Sequence, residues 1–237
     1  MNKERNHPFK EIFGRTKVGI DIDGVVALSV VPVLAKVNSD LGTNYKIMDF
    51  RGWRSVRDWA APVYIQRGMP ESVALKAASA YDTRVWTDPD ILGAAPVHRG
   101  AEAFVKRLHQ EGIEYYFITS RIPELSDSTI RWFRRNLPWV DPAVIRVNTN
   151  RELEGRDFKW QTVVRLGIGV HIDDYFDHAK LIVDRTFASA VLLSNLDNLP
   201  FKHPRLFRIT AQGRLPDLRD FHKLLMFRTP FSVAQSH

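Results

Sequence analysis

The chain is expected to be an α/β protein, a Rossmann-like parallel sheet flanked by helices, with a small helical segment inserted after the first strand. Three observations lead there. Short β-branched runs alternate with amphipathic stretches over most of the sequence, the pattern of a parallel sheet covered by helices. Between about Thr43 and Ala95 the strand signal disappears and only helical signals remain. Three strands end abruptly in polar clusters: Asp21/Asp23, Thr119/Ser120/Arg121 and Asp173/Asp174.

The elements follow in order. Lys17 to Ile22 is the first strand, closed by two carboxylates and Gly24. A helix is expected over Val30 to Leu41 with Gly42 as its C-terminal cap. Within the insertion, helices are expected at Arg57 to Gln66 and at Pro70 to Tyr81, the second opened by proline. Gly100 to Gln110 places Ala103, Phe104 and Leu108 in helical register and ends at Gly112. Ile113 to Ile118 reads as a buried strand, and Asp127 to Asn136 as a helix capped near Ser126. Ala143 to Val147 is a short strand, Phe158 to Leu166 a helix with glycine exits, and Val170 to Ile172 a strand. Tyr175 to Asp184, Ala190 to Leu193 and Asp217 to Phe227 complete the pattern as helix, strand and closing helix. The expected partition is an arm at 1–16, a core at 17–24 and 97–227, the insertion at 25–96 and a tail at 228–237.

A length of 237 residues suits one large α/β domain or a core with a subdomain, and 44% hydrophobic content provides a sizeable core. No apolar stretch approaches the roughly 20 residues that span a bilayer. Met1 to Lys17 is polar and mixed in charge, without the apolar run of a secretion signal, so cytoplasm is the expected compartment. With no Cys, disulfides and thiolate chemistry are excluded. The net charge of +7 points to anionic partners such as nucleotides, phosphorylated metabolites or nucleic acid. The densest basic cluster, Arg131, Arg134 and Arg135, reads as a solvated helix face.

In open parallel sheets, ligands bind where strand ends converge. Asp21 and Asp23 alternate onto one side of an extended chain, and two buried carboxylates so close repel unless a cation sits between them. A calcium loop is ruled out because Pro32 stands where the bidentate Glu of an EF-hand is required. With a phosphate monoester in the crevice, Asp21 can attack phosphorus and Asp23 can serve as general acid and base. Mg²⁺ would draw its oxygens from Asp21, the Asp23 carbonyl and either Asp173 or Asp174. Thr119, Ser120 and Lys159 can hold and neutralise the phosphoryl group.

Asp21-Ile22-Asp23-Gly24, Ile118-Thr119-Ser120-Arg121, Lys159 and Ile172-Asp173-Asp174 resemble motifs I to IV of the haloacid dehalogenase (HAD) superfamily of phosphatases. The likeness runs from about Lys17 to Phe227, with the insertion in the place of a C1-type cap. Within the superfamily the chain is most similar to the 5′(3′)-deoxyribonucleotidase group, on the strand at Asp21 to Gly24, the Pro96 to Leu108 segment and the strand end at Ile118 to Arg121. The resemblance implies Mg²⁺-dependent hydrolysis of a nucleoside monophosphate. A sugar phosphate or a nucleic-acid terminal phosphate is the alternative substrate. A non-catalytic nucleic-acid binder is a third reading, unsupported by any helix-turn-helix, zinc or RNP-type signature.

Several residues keep two readings. Arg121 can reach a substrate phosphate or pair with a carboxylate. Phe50, Trp53, Trp59, Tyr64 and Trp86 can stack on a base or form the core of the insertion. His171 and His178 flank the last motif and are expected to be structural, and Asp177 is expected to be an exposed or capping residue rather than a ligand.

Overall fold

A computed structural model describes residues 13–14, 16–194, 202–212 and 214–221. Six parallel strands form one sheet: β1 (Lys17–Ile20), β2 (Tyr115–Thr119), β3 (Ile145–Val147), β4 (Ile168–Asp173), β5 (Ser189–Leu193) and β6 (Leu206–Ile209), in the order β3-β2-β1-β4-β5-β6. The helices are α1 (Val30–Leu41), α2 (Ser55–Gln66), α3 (Glu71–Trp86), α4 (Pro89–Gly93), α5 (Ala101–Gln110), α6 (Ser126–Asn136), α7 (Gly155–Leu166) and α8 (Phe176–Arg185). The expected α/β class with a parallel sheet is therefore the observed one.

Period-two alternation divides the sheet between two cores. Tyr115 and Phe117 of β2 face the side covered by α5 and α6, where Phe104, Leu108, Trp132 and Phe133 are buried. Ile118 turns the other way, toward Val163 of α7 and Ile182 of α8. β1 is central and pairs with β2 on one side and β4 on the other. The chain thus builds outward to β3, then crosses back over β1 to start β4. That reversal opens a crevice at the carboxyl ends of β1 and β4, where an α/β sheet binds its ligand.

The helices of the insertion bury a core of their own. Val33, Val37, Val56, Ala60, Tyr81 and Val85 pack together, joined from the main body by Leu125. Val25, Val26 and Ala27 belong instead to the core beneath the sheet. The chain crosses between the two bodies through paired segments: Leu28 N donates to Pro96 O (2.9 Å) and His98 N to Val26 O (2.7 Å).

Some boundaries differ from the sequence reading, each for a local reason. α3 extends five residues beyond Tyr81 to Trp86, because Val85 continues its buried stripe. Pro142–Val144 winds as a 3₁₀ turn, capped by Asp141 at Ala143 N (2.8 Å), so β3 starts only at Ile145. α4 and β6, both short and flanked by loop-like sequence, had no expected counterpart. Phe13, from the segment read as an arm, is buried against Phe104 and Phe221. Of the closing helix, 218–221 forms a 3₁₀ turn, while 222–227, the tail and residues 1–12 lie outside the described residues. Among the described residues no helix is long and apolar enough to cross a membrane.

Candidate active site

All three polar clusters, together with Lys159, meet at the ends of β1, β2 and β4. Asp21 follows β1 directly, extending the ladder through its N–H to Ile172 O (2.9 Å). The chain then turns, and Gly24 takes a positive φ of 75°. A side chain there would overlap the Asp174 carboxylate, since a Cβ would lie 1.9 Å from Oδ2. Gly24 is what allows the last acidic residue to lie against the first motif.

Lys159 is fully buried. Its Nζ lies 2.8 Å from Asp21 Oδ2, 2.7 Å from Asp173 Oδ2 and 2.9 Å from His178 Nδ1. Asp173 also accepts from Tyr175 N (2.9 Å) and lies 3.1 Å from His171 Nε2. Both histidines therefore buttress Asp173. Burial works against the Asp173 charge, but Lys159 and the two imidazoles outweigh it and hold its pKa well below the carboxylate range.

Asp23 is held differently. Burial opposes its charge, yet Arg121 supplies two contacts, Nε to Oδ2 at 2.8 Å and Nη2 to Oδ1 at 2.6 Å, and Ser29 Oγ donates to Oδ1. These lower its pKa. Of the two partners open to Arg121, the one it takes is a carboxylate, and Thr129 Oγ1 accepts from its third nitrogen (3.0 Å). Thr119 is buried at the end of β2, where its hydroxyl accepts from Arg121 N (3.2 Å). Ser120 lines the cavity above.

Four carboxylates thus face two cations. The surplus falls on Asp21 and Asp174. Burial pushes the Asp21 pKa up to about 8, reinforced by Asp173 and Asp23 against the pull of Lys159. Asp174 is raised well above the usual range by burial and by Asp21 and Asp173, and its buried Oδ1 has no hydrogen-bond partner. Asp21, Asp173 and His178 also approach closely enough to surround an ion, but the space between them is filled by the Lys159 ammonium. Asp174 has no counter-charge of its own, and Asp21 shares Lys159 with Asp173, so the pair Asp21 and Asp174 carries excess negative charge that suits a hard divalent cation.

A cavity of about 340 Å³ opens above Asp21, Asp23 and Ser120 and is closed by Trp53, Asp82 and Trp86 from the insertion. A smaller one, about 150 Å³, adjoins Gly24 and Asp174 and is walled by Phe50, Trp53, Trp86 and Tyr175. Trp59 stacks on Tyr45 (4.5 Å) and Tyr64 meets Tyr81 edge-on (6.5 Å), so those two aromatics belong to the core of the insertion. Asp177 is exposed and accepts from the Tyr175 hydroxyl (2.9 Å). Arg131, Arg134 and Arg135 are exposed on α6. Ser29 and Asp82 had no signal in sequence: Ser29 reaches Asp23 only because the chain turns back after Gly24, and Asp82 lies far along the chain from the strand ends it faces.

No protein-family model matches the chain, and no curated protein matches it. Solved structures do. It is similar to a predicted phosphatase from Clostridium acetobutylicum, with a TM-score of 0.55 at 13% identity over 90% of this chain and 99% of that one. A haloacid dehalogenase-like hydrolase family protein from Streptococcus pneumoniae gives 0.54 at 10% identity, over 90% and 98%. A protein described as a HAD hydrolase from Bacillus subtilis, bound to magnesium, gives 0.51 at 11%, over 90% and 97%. The fold is that of the haloacid dehalogenase-like hydrolases.

Proposed function

We propose that the chain is a Mg²⁺-dependent phosphatase that hydrolyses a nucleoside monophosphate through an aspartyl-phosphate on Asp21. The observation that carries this reading is the excess of acid over base at the strand ends: Arg121 is taken by Asp23, Asp21 and Asp173 share the single Lys159 ammonium, and the buried Asp174 Oδ1 has no partner. Asp21, the Asp23 carbonyl and Asp174 would hold the ion. When bound, it would screen Asp21 from the phosphate dianion and polarise a phosphoryl oxygen.

The remaining chemistry belongs to the chain. Lys159 orients the Asp21 carboxylate and adds positive charge beside the transferred group. An Asp21 oxygen forms the bond to phosphorus as the ester P–O bond breaks, and the leaving oxygen takes a proton from Asp23. Water then attacks phosphorus, gives its proton to Asp23 and frees Asp21. Asp23 must take up a proton before the first step, so a substrate phosphate that draws Arg121 away would favour catalysis. Ser120, at the cavity floor, can donate to the phosphoryl oxygens. The aromatic wall of Trp53, Trp86 and Tyr175 supports a leaving group with a flat face, which favours a nucleoside over a simple sugar.

The test is phosphate release from nucleoside monophosphates, sugar phosphates and 5′-phosphorylated oligonucleotides, with and without Mg²⁺. Release from nucleotides that requires Mg²⁺ and is abolished in Asp21→Asn and Asp23→Asn, both still folded, is expected. Absence of release from every substrate would overturn the reading.

A further inference from the structure

The groups assigned above account for the core side of the larger cavity, but two polar atoms on its opposite wall have no role there. Asp82 and Trp86 lie one turn apart on α3, so both project from one face. Both line the cavity that contains Asp21 and Asp23. Asp82 Oδ1 and the Trp86 indole nitrogen are buried, and neither has a hydrogen-bond partner. The indole N–H approaches the carboxylate closely enough to favour its charge but does not close a hydrogen bond. The Arg57 amide, in the first turn of α2, also favours the Asp82 charge. Burial is the strongest influence on Asp82 and pushes its pKa up to about 6. An unpartnered buried acceptor and an unpartnered buried donor are each costly, because each gives up its hydrogen bond to water and gains none in return. Such a pair is retained more readily where a ligand completes it.

We propose that Asp82 and Trp86 read the leaving group of the substrate, and that this group has a flat face, bears a hydrogen-bond donor and carries no negative charge. The inference rests on the phosphatase reading and narrows its substrate class. An ionised carboxylate can only accept, and an indole nitrogen can only donate, so together they demand a group with complementary polar edges. Trp53 packs 4.2 Å from Trp86, ring centre to ring centre, and extends the aromatic surface on which a planar group can lie. A leaving group with its own carboxylate or second phosphate would meet Asp82 at like charge. Nucleosides meet all three conditions, whereas the leaving group of phosphoglycolate meets none.

The experiment compares kcat/KM for guanosine and cytidine 5′-monophosphates, p-nitrophenyl phosphate and phosphoglycolate in the wild type and in Asp82→Asn, Asp82→Ala and Trp86→Phe. The readout is the ratio between substrates, which cancels any general loss of stability or of catalytic power. The nucleotide to p-nitrophenyl phosphate ratio is expected to fall at least 10-fold in both Asp82 variants and about 3-fold or more in Trp86→Phe, which keeps a flat face and removes only the N–H. The preference for nucleotide over phosphoglycolate is expected to fall with it. Unchanged ratios in both Asp82 variants would overturn the inference while leaving the phosphatase reading intact. If the wild type released phosphate from nothing, the phosphatase reading would fall, and calorimetric titration with guanosine and cytidine would decide the inference separately. Binding weakened at least 10-fold in Asp82→Ala supports it, and equal or absent binding overturns it.

Discussion

Arg121 grips Asp23 as a fork, with Nε 2.8 Å from one carboxylate oxygen and Nη2 2.6 Å from the other, and both side chains are nearly excluded from solvent. Such a pair is costly to halve and cheap to replace whole. Arg121→Ala leaves Asp23 buried without its ion-pair partner and is expected to lose about 3–5 kcal/mol. The double variant Arg121→Leu with Asp23→Leu is expected to lose clearly less than Arg121→Ala alone. Urea unfolding of the three proteins measures this, and a double variant that loses as much as Arg121→Ala or more would show that the two groups do not act as a unit.

Lys159 is the sole counter-charge that Asp21 and Asp173 share among the described residues. In Lys159→Met the two acids repel across a dry gap, with an expected loss of about 3–5 kcal/mol and no phosphate release. Lys159→Arg is not expected to restore activity, because a planar fork cannot take the place of a point charge held 2.8 Å and 2.7 Å from two oxygens. Thermal melts and phosphate assays on both variants check the two effects, and full activity in either would remove Lys159 from the mechanism.

The raised pKa values of Asp21 and Asp174 give the metal-free protein a characteristic pH dependence. Asp21 titrates near 8 when folded and near 3.8 when unfolded, so the folded state holds the extra proton between those values. Stability from this source is present at low pH and is lost as pH rises through that window. Asp23 and Asp173 shift the opposite way, and their contribution is lost only as pH falls below about 4, outside the window. Mg²⁺ replaces the protons, so its stabilising effect grows with pH. At 100 times its dissociation constant the ion adds about 2.7 kcal/mol, or about 5–10 °C in melting temperature. Melts at pH 5 and pH 8 with and without Mg²⁺ test this, and an equal increment at both would refute it.

Much of this was legible in the sequence because strand ends are sharp in it. The apolar runs before Asp21, Thr119 and Asp173 stop within a residue or two, and parallel topology does the rest by aligning their carboxyl ends. The choice between Asp173 and Asp174 was not legible. Adjacent residues point to opposite sides of a strand end, and which side holds Lys159 depends on how α7 packs. Arg121 kept two readings in the sequence, a substrate phosphate or a carboxylate, because the partner it takes lies 98 positions away in the chain, a pairing that no local pattern specifies.

The seat of α7 gives a further prediction. Gly155 opens that helix against the end of β2, where a Cβ would stand 2.5 Å from Ser120 O and 2.6 Å from Ser120 Cβ. Lys159 lies one turn along the same helix. Gly155→Ala must therefore push the helix away from the sheet and draw the ammonium from Asp21, at a cost of about 1–3 kcal/mol. Phosphate release is expected to fall at least 10-fold while the far-ultraviolet circular dichroism stays native. Wild-type turnover would mean that α7 tolerates the shift.

The paired crossing at Val26–Leu28 and Pro96–His98 has an evolutionary corollary. Entry to and exit from the helical subdomain are stitched together by main-chain bonds that no side chain specifies. The helices between them can be exchanged as a cassette without disturbing the acids beyond, provided that Ser29, whose hydroxyl donates to Asp23, is kept. A lineage built this way can acquire new substrates by replacing the lid while inheriting its chemistry unaltered.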